Sequence, residues 1–192
     1  MKKIYIALFA VFLALVALMV IYRINNPPDN APTADYTRVK AELLLHNYRQ
    51  DEAQTGDGQS LPDHSKIYGV MIEQTVEKAD GGSAAGFVFF DCFGVCTAMN
   101  SDNSGYARFS DEAFAELSES VFAEANGIYD DTFSRAKKSN YDVPHTGDVR
   151  VYVRAGDGVF YKTFKAEETP QKLAAAYGIA REAAAQTEDQ SE

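Results

Sequence analysis

The sequence predicts an α+β chain: an N-terminal transmembrane helix followed by one domain built on an antiparallel sheet, in the order α-βββ-α-ββ-α. Three observations carry this expectation. Residues 4–21 are without exception apolar or aromatic, the hydrophobic period shifts along the chain from three or four residues to two, and the strand-like segments are joined by short Gly-rich links. Such links permit hairpins but not the crossovers a parallel sheet requires.

The run Ile4 to Ile21 follows Lys2 and Lys3 and contains no charge, Asn, Gln, Gly or Pro. As a helix rising about 1.5 Å per residue it reaches roughly 27 Å, close to the hydrocarbon thickness of a bilayer. A secretory signal has an apolar core of about 7–15 residues before a small-x-small site. Here the run is longer and ends in Met19, Val20, Ile21, Tyr22 and Arg23. Residues 1–23 are therefore expected to be an uncut signal-anchor, with secretion after cleavage as the alternative. Lys2 and Lys3 before the span, against Arg23 after it, place the N-terminus in the cytoplasm and the remainder in an extracytoplasmic compartment. The lipid bilayer is the partner of residues 4–21.

The chain carries a net charge of −10, and Lys2, Lys3 and Arg23 belong to the anchor, so the remainder is more acidic still. Nucleic acid and anionic headgroups are repelled and are not expected as partners of the domain. Twelve Phe and eleven Tyr, with no Trp, supply much of the area for one core. Residues 24–34, including Pro27, Pro28 and Pro32, read as a Pro/Asn-rich stalk, residues 35–185 as a single domain, and residues 186–192 as a disordered acidic tail.

Within the domain, Tyr36, Val39, Leu43 and Leu44 recur at helical spacing and predict a helix from Asp35 to about Gln50. Ile67–Glu77 and Ala84–Asp91 are rich in β-branched and aromatic residues, with Gly81-Gly82 as the link. In Phe87-Val88-Phe89-Phe90 both alternating faces are apolar, which predicts a central strand covered on both sides. Val95–Met99 is a third strand. Ser110 is read as the cap of a helix whose stripe is Phe114, Leu117, Val121 and Phe122. Val149, Val151 and Val153 alternate with polar or aromatic neighbours, and Ala155-Gly156-Asp157-Gly158 turns that strand into Val159–Phe164. Thr169-Pro170 opens a last helix through Ala185. This order resembles that of roadblock-, profilin- and PAS-type sensory and scaffold domains over Asp35 to Ala185, as an α/β sandwich. A likeness of element order assigns no activity.

Few residues point to chemistry. Cys92 and Cys96 are the two cysteines, and in an oxidising compartment a pair spaced C-x₃-C suits a local disulfide. Asn100, Asp102, Ser104 and Asp111, with Gly105 at the turn, resemble in spacing the calcium loop of an EF-hand, where a hard cation gathers oxygens around a sharp bend. Asn100 stands in place of the leading Asp and Asp111 in place of the bidentate Glu, so any calcium site would be weak; an Asx-rich turn is the simpler expectation. No catalytic residue and no other cofactor is expected, since nucleophile-elbow, zinc-protease and phosphate-loop spacings are missing and His46, His64 and His145 are scattered.

The functional expectation is a membrane-tethered extracytoplasmic binding or assembly module without catalytic activity, engaging a protein or envelope partner. An envelope hydrolase is the alternative, with a site assembled from separate loops by residues such as His64, Asp102, Asp142 and His145. A weak calcium-binding domain is the second alternative.

Overall fold

The computed structural model describes residues 34–46, 67–79, 81–102, 106–137, 142–156 and 158–188. Its central strand is β1 (Ile67–Glu77), which pairs antiparallel with β2 (Ser83–Asp91) on one side and β6 (Asp148–Ala155) on the other. The remaining strands are β3 (Cys96–Asn100), β4 (Tyr106–Phe109), β5 (Ser134–Arg135) and β7 (Gly158–Lys165), giving one antiparallel sheet in the order β4-β3-β2-β1-β6-β7-β5. Three helices complete the domain: α1 (Ala34–Leu45), α2 (Glu112–Ile128) and α3 (Gln171–Glu188).

Side-chain alternation divides the strands between two apolar cores. On one face Tyr36, Val39 and Leu44 of α1 meet Met71, Phe87, Phe89, Met99 and Tyr152. On the other, Phe114, Val121 and Phe122 of α2 and Leu173, Ala176 and Ala180 of α3 meet Val70, Ile72, Val88, Phe90 and Val151. The double coverage expected for Phe87–Phe90 is therefore present: all four are essentially without exposure.

The α+β class and the antiparallel sheet agree with the sequence reading, whereas the strand count does not. The observed order is α-ββββ-α-βββ-α. β4 falls where an Asx-rich loop was expected, because a four-residue edge strand alternating between exposed and half-buried carries little hydrophobic contrast. β5 has only two residues, paired with Phe160 and Tyr161, too short for any periodicity. The hairpin link near Gly81 is a turn in which Lys78 N–H donates to the Gly82 carbonyl at 2.8 Å and Gly81 takes a φ of +82°. The cap of α2 is Asp111, not Ser110: its carboxylate accepts from Phe114 N at 3.0 Å, and an anion at that position also meets the positive helix end. α3 continues to Glu188, past the expected start of the tail.

Among the described residues no helix is long and apolar enough to cross a membrane. The expected anchor, residues 4–21, and the stalk to residue 33 lie outside the described residues.

Candidate functional site

Two features of the domain are not explained by apolar packing alone. The first is a buried polar cluster beneath α1. Lys40 lies in the stripe that carries Tyr36 and Leu44, one helical turn from each, and therefore faces the sheet. On β1, Glu73 alternates with Met71 and Thr75 and points at the same face. Both side chains have 0% exposure. Lys40 Nζ donates to Glu73 Oε1 at 2.8 Å and Oε2 at 2.7 Å, and the Tyr36 hydroxyl donates to Oε1 at 2.9 Å. The Tyr152 hydroxyl reaches Oε2 at 3.5 Å, and Arg150 Nη1 donates to the Asp142 carbonyl at 2.8 Å and to the Tyr152 hydroxyl at 3.3 Å. Burial pushes the Glu73 carboxyl above its ordinary range and the Lys40 amine below its own, while each partner's charge opposes that shift. Lys40 and Glu73 are shut off from solvent; their pairing pins α1 to β1, and Lys40 Nζ, which also donates to the Asp142 carbonyl at 3.3 Å, ties the segment around Asp142 to α1.

The second feature is a groove of about 330 Å³ between the N-terminal half of α2, the β2–β3 turn and the start of β1. Its apolar surface comes from Ile67, Tyr68, Phe93 and Phe122, and Glu112, Glu116 and Glu119 line it from α2. The turn that forms one wall is tightly specified. Asp91, only 5% exposed, accepts from Phe93 N and Val95 N, both at 2.9 Å, and Gly94 takes a φ of +82° while lying so close to Ala115 that a Cβ there would sit 3.0 Å from its Cα and Cβ. Ser118 Oγ donates to the Asp91 carbonyl at 3.2 Å and fastens α2 to this turn. Phe93 remains 40% exposed at the edge of the groove.

Burial holds the Asp91 carboxyl above its usual range even though two amides favour the charged form. Asp91→Ala leaves both amides without their acceptor and is expected to lower stability by about 1–3 kcal/mol. Asp91→Asn keeps an acceptor oxygen without the buried charge and is expected to stay within about 1 kcal/mol of the parent. Denaturant unfolding of the two variants checks this; equal losses would mean that the carboxylate's hydrogen bonds do not hold the turn.

The residues singled out from sequence are distributed rather than gathered. Asn100 ends β3, Asp102 forms an ion pair with Lys78 at 2.6 Å, Asp111 caps α2, and Ser104 lies outside the described residues. Among the described residues no three His, Cys, Asp or Glu side chains converge as metal ligands. His46 borders a cleft of about 180 Å³ with Arg38 and Arg108, Asp142 pairs with Arg150 at 3.4 Å, and His145 lies in the turn before β6, its carbonyl accepting from Asp148 N. Asp102, Asp142 and His145 line neither cleft, and His64 lies outside the described residues.

No disulfide joins Cys92 to Cys96 in this structure. The β2–β3 register sets Cys96 opposite Phe90, so Cys92 is not its cross-strand neighbour. Burial pushes the Cys96 thiol up to about 12, which makes it unreactive near neutrality, whereas Cys92 is half-buried beside the groove. A thiol reagent is expected to modify Cys92 in the folded chain and Cys96 only after denaturant is added, as read by mass spectrometry. Equally rapid modification of both would contradict this packing.

Sequence reasoning missed Lys40, Glu73 and the groove. A lysine at the centre of an apolar stripe was the available signal for the first two. The groove depends on how a turn, a strand and a helix meet, which no local pattern encodes. No family model, curated protein or solved structure matches this chain.

Proposed function

We propose that this chain is a non-catalytic binding module, tethered to a membrane by residues 4–21, whose extracytoplasmic domain receives a partner in the groove beside α2. The observation that carries the reading is the groove itself: a concave surface with an apolar floor, a half-exposed Phe93 and three polar side chains directed along one wall. The tether rests on the uninterrupted apolar run from Ile4 to Ile21 and its flanking charges.

A photocrosslinking residue placed at Ala115, on the groove wall, and separately at Ile179, on the exposed side of α3, tests both parts in cells that make the full-length chain. The chain is expected in the membrane fraction, digestible by protease added outside intact cells, with adducts from position 115 and not from 179. Recovery of intact chain in the soluble fraction would overturn the tether. Equal adduct yields from the two positions would overturn the groove as the seat.

A further inference from the structure

Resting on the groove reading, we propose that the occupant is a basic amphipathic helix, a peptide segment whose Lys or Arg side chains recur every three or four residues beside an apolar stripe. Glu112, Glu116 and Glu119 are exposed, are spaced four and three residues apart, and all line the same groove. Among the described residues none of the three has an ion-pair partner, whereas Glu42, Asp102, Glu124, Asp142 and Asp148 are each paired with a cation.

Seven residues of helix separate the first carboxylate from the last, about 10 Å along the axis, or two turns. A partner helix with cations at the same spacing meets all three while its apolar stripe drops between Phe93 and Phe122. The charge also selects against other occupants. A second copy of a chain with net charge −10 would set acid against acid, and nucleic acid or anionic lipid is repelled in the same way.

The test uses the full-length chain in phosphatidylcholine nanodiscs and a fluorescent 14-residue Leu/Lys amphipathic peptide, read by anisotropy. The comparison peptides carry Gln for Lys, or the same residues shuffled to destroy the stripe. The Leu/Lys peptide is expected to bind most tightly, and E112Q/E116Q/E119Q, in identical nanodiscs so that any lipid contribution cancels, should weaken it roughly tenfold. Raising the salt to about 0.5 M should act in the same direction. Phe93→Ala should weaken the Leu/Lys and Leu/Gln peptides alike.

Equal affinity for parent and triple-Gln protein overturns the cationic partner. If Phe93→Ala still weakens the Leu/Gln peptide in that case, the groove survives as a seat for a neutral ligand. Equal binding of the shuffled peptide overturns the helical requirement. Binding that neither the triple substitution nor Phe93→Ala affects overturns both readings, and no binding of any peptide overturns the proposed occupant.

Discussion

Truncating Glu73 to Ala is expected to cost the domain about 3–5 kcal/mol, a large part of the stability of a protein this size. The substitution strands the Lys40 ammonium at 0% exposure, because the carboxylate that accepts two of its hydrogen bonds is gone, and it also leaves the Tyr36 hydroxyl without its acceptor. Lys40→Met should cost a similar amount for the complementary reason, a buried carboxylate deprived of its cation. The double variant Lys40→Met/Glu73→Leu removes both charges together. It is expected to recover to within about 1 kcal/mol of the parent, or to exceed it, since apolar replacement of a whole buried pair avoids the desolvation cost of two ions. Denaturant midpoints of the four proteins form the cycle. A strongly non-additive result is expected, and additive losses would mean that the two side chains do not act as a unit.

Phe87→Ala and Phe90→Ala are each expected to cost about 3–5 kcal/mol. They belong to the same strand but to opposite cores. Phe87 packs under α1 with its ring centroid 5.1 Å from that of Tyr36, whereas Phe90 lies among the residues covered by α2 and α3. Both are fully buried, so removal of either ring leaves a cavity that closed packing cannot refill. In a sheet with one wet face, one of the two substitutions would be nearly neutral. Comparable losses of stability therefore report that β2 is covered on both sides, and a loss confined to one variant would contradict the two-layer packing.

That coverage is also where sequence reading was most successful, and the reason is physical. A central strand buried on both faces must be apolar at consecutive positions, so Phe87-Val88-Phe89-Phe90 announces its own environment. β1, β2, β6 and β7 were legible because their residues alternate or cluster over eight to eleven positions. β4 and β5 were not, since four and two residues hold too little pattern. The cap of α2 slipped by one residue because Ser110 and Asp111 are both competent acceptors, and only the backbone decides which precedes the first turn.

The candidate site was far less legible. Charged residues in amphipathic segments are normally read as the wet face, and that habit hid Lys40 and Glu73, whose mutual neutralisation lets both face the core. The glutamates of α2 fall on an exposed helix face, and the Phe93 and Tyr68 that line the groove with them come from 19 or more residues earlier in the chain. Conversely, the Asn100–Asp111 spacing resembles a loop of cation-binding oxygens, and the fold uses Asp102 in an ion pair with Lys78 and Asp111 in a helix cap.

Amide hydrogen exchange of the full-length chain, with and without the Leu/Lys peptide, tests the seat of binding most directly. The groove account predicts slowed exchange in two stretches, residues 92–95 of the β2–β3 turn and the first turns of α2 through Glu119, with the β4 edge unchanged. Slowing centred on Tyr106–Phe109, as expected if the peptide added a strand to the open sheet edge, or no slowing in either groove segment, would contradict it.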